Sequence, residues 1–62
     1  MNVKLARIKK QMTQEELAIA TGICRTIISR IESGNYNKLR FDNMKKLAAV
    51  LDCTVGELFF ID

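Results

Sequence analysis

The chain has 62 residues, no histidine, and a net charge of +3 from ten lysines and arginines against seven aspartates and glutamates. A chain of this length is expected to form a single domain, here residues 1–62, with a small core. The lack of histidine and the absence of a CxxC spacing between Cys24 and Cys53 argue against a zinc site, a redox dithiol and a disulfide framework.

Five short helices are predicted, because the chain has no proline, few aromatic residues and no strand-length alternation of apolar and polar residues. The first covers about residues 2–10 and the second about residues 14–20. A capping box marks the start of the second helix. In it, the Thr13 side chain accepts a hydrogen bond from the Glu16 N–H, and the Glu16 carboxylate reaches back to Thr13.

A sharp turn is expected between the second helix and the third, which covers about residues 25–33. Gly22 suits a left-handed C-cap, so only a few residues connect the two helices. The third helix is amphipathic: Cys24, Ile28 and Ile31 lie on one side, and the opposite side carries Arg25, Thr26, Ser29, Arg30 and Ser33. Gly34 and Asn35 favour positive φ and a turn after it.

Two more helices are predicted after a polar, basic loop that extends to Arg40. The fourth helix covers about residues 41–51, where apolar side chains recur at helical spacing. The fifth begins at a second capping box, formed by Thr54 and Glu57. The predicted core consists of Leu17, Ala18, Ile23, Ile28, Ile31, Leu47, Leu51 and Leu58.

The second and third helices together form a helix-turn-helix arrangement. A helix of about nine residues is ~13 Å long, comparable to the ~12 Å width of the DNA major groove. Arginine can donate two hydrogen bonds to a guanine edge, and serine or threonine can contact bases or phosphates. Ile27 borders both faces and either packs inward, the favoured alternative, or contacts a thymine methyl group. A helical hairpin whose polar face meets only water is the structural alternative.

Several spaced motifs carry a family resemblance: Arg7, TQEELA at 13–18, Gly22 with Ile23, IISRIESG at 27–34 and LAAVLDCTVGELF at 47–59. With these motifs the chain resembles the phage-repressor and Cro-like helix-turn-helix family, also called the XRE family. The resemblance implies an all-α, compact five-helix, lambda-repressor-like DNA-binding domain. The chain departs from the family pattern at Gln11 and Asp52, where glycine is frequent, at Cys24, where a small polar cap is usual, and at Leu39-Arg40, where Pro-Ser is usual.

The resemblance also implies roles for individual residues. The base-contacting positions are Arg25, Thr26, Ser29 and Arg30, and the phosphate-contacting positions are Gln14, Lys38 and Arg40. Arg7 and Glu32 match a partly buried ion pair that ties the first helix to the end of the third. The alternative for this pair is two separate surface charges, which would contribute only ~0–1 kcal/mol.

Large apolar side chains at the two ends of the chain need cover. Leu5 and Ile8 point away from the side of the first helix that the family turns inward. A short last helix cannot bury Phe59, Phe60 and Ile61 on one face. These residues either cover each other within one chain or form a dimer interface, which is the favoured alternative.

The sequence therefore predicts a sequence-specific regulator of transcription, a repressor, that binds double-stranded DNA as a homodimer on a palindromic operator. Its recognition helix, about residues 25–33, would enter the major groove. The alternative is a protein-interaction module of the same fold, such as an antitoxin or an adaptor subunit. No enzyme activity, cofactor, metal or small-molecule ligand is predicted. Because the sequence shows neither a membrane span nor a signal peptide, a cytoplasmic protein is expected.

Overall fold

The computed structural model describes residues 2–36 and 39–60. Within these ranges the chain forms five helices and no strand: α1 (Val3–Lys9), α2 (Gln14–Thr21), α3 (Arg25–Glu32), α4 (Phe41–Leu51) and α5 (Gly56–Phe60), the last a π-helix. The all-α prediction is confirmed. No helix in the described ranges is both long and apolar enough to cross a membrane.

Local capping interactions set several of the helix starts. At α2, the Thr13 hydroxyl accepts from the Glu16 N–H at 3.0 Å and the Glu16 carboxylate accepts from the Thr13 N–H at 2.8 Å. The same reciprocal pair joins Thr54 and Glu57 before α5, at 2.9 and 3.0 Å. Both predicted capping boxes are present. Each satisfies backbone N–H groups that a helix start leaves without a partner.

The turn between α2 and α3 combines a left-handed glycine with a buried hydroxyl. Gly22 has φ 74° and caps α2, as predicted. Thr21, which the sequence placed just beyond the helix, is instead its last residue and is buried. Its hydroxyl donates to the Leu17 carbonyl at 2.8 Å and accepts from the Ile23 N–H at 3.2 Å. Through these two hydrogen bonds the Thr21 hydroxyl connects α2 to Ile23, in the turn that leads into α3.

Most of the predicted core is confirmed. Buried apolar residues from all five helices and the α2–α3 turn pack together: Val3, Ala6, Leu17, Ile23, Ile28, Ile31, Leu47, Ala48, Leu51 and Leu58. Ala18 is the exception, since it lies only partly buried at the edge of this cluster. Its neighbour Leu17 fills the centre of the interface with α3 and α4, so α2 turns Ala18 to one side.

Positive φ values occur at two positions that carry larger side chains. Gln11 has φ 58° and Asp52 has φ 59°. Both are positions where the resemblance pointed to glycine. Gly34 also has a positive φ, of 90°, but Asn35 does not, so the prediction for Asn35 was wrong. A single left-handed residue is enough to end α3 because Ser33 and Gly34 already turn the chain.

We expect Gln11→Gly to stabilise the protein by about 0.5–1 kcal/mol, because the left-handed conformation strains a side chain with a Cβ atom but not glycine. The gain is reduced by the greater freedom of glycine in the unfolded chain. Asp52→Gly should gain less, since aspartate tolerates this conformation better. Thermal unfolding of each variant measures the effect. Asn35→Gly is the matched control and should destabilise; equal effects at all three positions would contradict the explanation.

Candidate nucleic-acid interface

Helix α3 turns an apolar side into the core and a polar side toward solvent. Ile28 and Ile31 are buried against the rest of the protein. On the other side, Arg25, Thr26, Ser29 and Arg30 are all exposed and lie together on one surface. In the described part of the chain neither arginine side chain forms an ion pair or a hydrogen bond. Their donors are therefore free to meet a ligand.

The start of α3 lacks an oxygen cap. Cys24 occupies the N-cap position, is exposed, and makes no side-chain hydrogen bond to the helix. Interactions with the nearby backbone N–H groups of Ile27 and Thr26, and with the Thr26 side chain, nevertheless lower the pKa of the Cys24 thiol below its ordinary value. The first turn of α3 thus presents N–H donors on the same end of the helix as Arg25.

A buried ion pair connects the far end of α3 to α1. Arg7 Nε lies 2.7 Å from Glu32 Oε2, and Arg7 Nη2 lies 3.1 Å from Glu32 Oε1. Only 12% of the Arg7 side chain and 5% of the Glu32 side chain are exposed. Arg7 Nη1 also donates to the Met12 carbonyl at 2.6 Å. The geometry is the two-pronged arrangement that makes arginine–carboxylate pairs strong.

The Glu32 carboxylate stays charged in this buried position. Burial by itself raises its pKa, but the hydrogen bonds from Arg7 and Gln14, together with the charge of Arg7, outweigh burial and leave the pKa below its ordinary value. Gln14, the first residue of α2, donates from Nε2 to Glu32 Oε1 at 3.1 Å. Gln14 therefore has a fixed orientation, with its second N–H and its carbonyl oxygen left for other partners.

An open cleft of about 480 Å³ lies between α3 and the start of α4; we call it the α3–α4 cleft. Its described lining is Ile27, Arg30, Ile31, Asn35, Leu39, Arg40 and Asn43. Arg40 is exposed at the N-cap of α4, which has no side-chain cap. Lys38, the other predicted phosphate contact in this loop, lies outside the described residues. The cleft itself was missed from the sequence, because it is formed by three segments whose spacing is set by packing.

Apolar side chains at the two ends of the chain differ in how they are covered. Leu5 and Ile8 on α1 and Phe60 on α5 are exposed, by 58%, 52% and 68%. Phe59 instead packs within the chain, edge-on against Tyr36 with ring centroids 5.5 Å apart. Sequence reasoning missed this partner, because Tyr36 lies in a stretch interpreted only as a polar turn. Ile61 lies outside the described residues.

Comparison with known proteins gives consistent matches. The sequence model of the helix-turn-helix family matches residues 3–58. A relative from Neisseria meningitidis serogroup B, named a Neisseria hypothetical transcription factor, is 37% identical over 92% of this chain and 53% of its own length. Two relatives from Archaeoglobus fulgidus, each named an uncharacterized HTH-type transcriptional regulator, are 38% and 42% identical over 97% and 90% of this chain. The matched regions make up 83% and 79% of the lengths of these two relatives.

The chain spans about half the length of the Neisseria relative. No solved structure matches it significantly. The family match extends from the first turn of α1 into α5 and includes both helices of the helix-turn-helix. In helix-turn-helix proteins the second helix of the motif lies in the major groove. The chain therefore belongs to the helix-turn-helix family of phage-repressor and Cro-like (XRE) DNA-binding proteins.

Proposed function

We propose that the protein is a sequence-specific transcriptional regulator that binds double-stranded DNA as a homodimer on a palindromic operator, with α3 in the major groove. The observation that carries this proposal is the exposed side of α3, where two arginines that have no partner among the described residues lie opposite the buried isoleucines. The relatives named as a transcription factor and as HTH-type transcriptional regulators support the same function. We propose repression as the outcome, because a protein bound over a promoter excludes other proteins from the same DNA.

The dimensions and chemistry of α3 suit the major groove. Its eight residues extend ~12 Å, which matches the ~12 Å width of the groove. Arg25 and Arg30 carry the paired donors that recognise the O6 and N7 atoms of guanine. Thr26 and Ser29 add hydroxyl groups that can contact a base or a phosphate. We assign these four side chains to base recognition.

The flanks of α3 supply the proposed backbone contacts. Gln14 stands at the start of α2, and its bond to Glu32 leaves one N–H for a phosphate oxygen. Arg40 stands at the start of α4, on the other side of the α3–α4 cleft from α3. We assign Lys38 to the same group as Arg40 from the family resemblance alone. Such contacts orient a protein on DNA but carry little sequence information.

Selection of duplexes from a random DNA pool tests the proposal directly. The expected result is a short preferred sequence with two inverted half-sites whose centres lie about one helical turn, ~34 Å, apart. Its affinity should fall steeply as the salt concentration rises, because bound arginines and lysines release counterions from the phosphates. Failure to enrich any duplex would reject the proposal and would favour a protein-interaction module.

We expect Arg40→Ala to weaken binding to the selected operator and to random duplex by a similar factor. The reason is that a phosphate contact exists on every sequence. The slope of log affinity against log salt should become shallower by about one unit. Lys46→Ala is the matched control: it removes the same charge from α4 but lies outside the cleft. A loss confined to the operator would reassign Arg40 to base recognition.

We expect Phe60→Lys to convert dimers into monomers, because Phe60 lies with Leu5 and Ile8 among the exposed apolar side chains at the two ends of the chain. A charge placed in an apolar interface is costly to bury. Sedimentation at micromolar concentration measures the mass, and operator binding should weaken in parallel. Ile19→Lys is the matched control, since Ile19 is an exposed isoleucine on α2 outside this surface. An unchanged mass for Phe60→Lys would reject this interface.

A further inference from the structure

Ile27 is an aliphatic side chain on the outer side of α3. The sequence favoured inward packing for it, yet the structure leaves 39% of the residue exposed. The adjacent Ile28 and the following Ile31 already fill the core side of the helix. The outer part of Ile27 is therefore not needed to close the core, and it forms an apolar spot between polar neighbours.

This apolar spot continues into the α3–α4 cleft. Ile27, Ile31 and Leu39 supply the apolar part of the cleft lining, and Arg30 and Arg40 supply two guanidinium groups. The cleft thus pairs an apolar wall with positive charge. A ligand that fits has a small apolar group next to an anionic backbone. A thymine nucleotide has both, because its 5-methyl group projects into the major groove and its phosphates flank the base.

We propose that Ile27 contacts the 5-methyl group of one thymine in each half-site and so determines part of the sequence preference. This inference rests on the proposed function, in which Arg30 meets a base edge and Arg40 meets a phosphate. Ile27 lines the same cleft as both of these arginines. Every base presents polar atoms in the major groove, but only thymine adds an apolar group, its 5-methyl, that an isoleucine can contact favourably.

Replacing single thymines by deoxyuridine tests this contact, because the exchange removes the 5-methyl group and leaves base pairing intact. The duplex is first obtained by selection with the parent protein. Each thymine of one half-site is then exchanged in turn. With the parent protein, we expect one exchange to weaken binding about fourfold, the factor that corresponds to burying one methyl group. The other exchanges should have little effect and serve as internal controls.

The same duplexes are then measured with two variants. Ile27→Ala should bind thymine and deoxyuridine equally at the sensitive position, because the side chain no longer reaches the methyl group. Ile27→Val, which keeps both branches and the helical packing, should retain most of the fourfold difference. Equal penalties for the parent and Ile27→Ala, or no sensitive thymine at all, would overturn the contact while leaving DNA binding intact. If the parent selects no duplex, the proposed function fails, and this contact fails with it.

Discussion

Arg7→Ala should lower the free energy of unfolding by about 3–5 kcal/mol, because it removes the partner of a buried charge. The change leaves the Glu32 carboxylate charged and buried, since only 5% of that side chain is exposed. It also removes the donor to the Met12 carbonyl. Urea unfolding followed by circular dichroism measures the loss.

The double variant Arg7→Ala with Glu32→Ala distinguishes the energy of the ion pair from the loss of side-chain packing. Each single change leaves one buried partner without its counter-charge, so the double change should cost less than the sum of the two. Lys10→Ala is the matched control, because Lys10 pairs with Asp52 at 3.6 Å on the surface, where 44% and 85% of the side chains are exposed. Its loss should stay below about 1 kcal/mol. Simple additivity for Arg7 and Glu32 would contradict this explanation.

The same ion pair should make the stability of the protein depend on pH. The pKa of Glu32 is lowered in the folded protein, so the folded state binds fewer protons than the unfolded state in that range. Its contribution is complete above the ordinary value of 4.5 and is lost as the pH falls through the lower, folded value. Glu32→Gln should therefore flatten the acid side of the stability profile. An unchanged profile would mean that other carboxylates dominate it.

Arg25→Ala and Arg30→Ala should each relax the base preference at one or two positions of the half-site, and the two variants should affect different positions. Losing a two-bond contact to guanine costs about 1–3 kcal/mol on the preferred site and much less on other sequences. Competition between duplexes that differ by single base pairs gives the profile for each variant. Both residues are exposed and opposite the buried isoleucines, so the fold should be retained.

Three further variants serve as controls for this prediction. Arg25→Lys and Arg30→Lys keep the charge but lose the paired donors, so they should preserve general affinity while losing discrimination. Arg40→Ala provides the opposite pattern, a uniform loss across sequences. A uniform loss for Arg25→Ala or Arg30→Ala would assign those residues to the backbone. If both alanine variants keep the full affinity and base preference for DNA, α3 does not contact DNA. That result would favour binding to a protein partner.

The helices could be predicted closely because their signals are local. The bounds of α4 and the starts of α2 and α3 agree with the sequence prediction, and the remaining boundaries of α1 to α3 differ by one residue. Capping boxes involve residues three apart, and a left-handed C-cap depends on a single glycine such as Gly22. The amphipathic pattern of α3 was sufficient to predict that Arg25 and Arg30 are exposed and Ile28 is buried. All of these are properties of one short segment at a time.

The sequence by itself therefore determined the order of the helices, most of the residues that turn inward and the family to which the chain belongs. The tertiary structure decided which distant residues meet: Gln14 with Glu32, Tyr36 with Phe59, and the α3–α4 cleft beside Ile27. The family resemblance pointed to the pair of Arg7 and Glu32, but only the fold shows how deeply it is buried. The physical reason is that periodicity reports the direction of a side chain on its own helix. The distance to a partner on another helix depends on how the whole core packs.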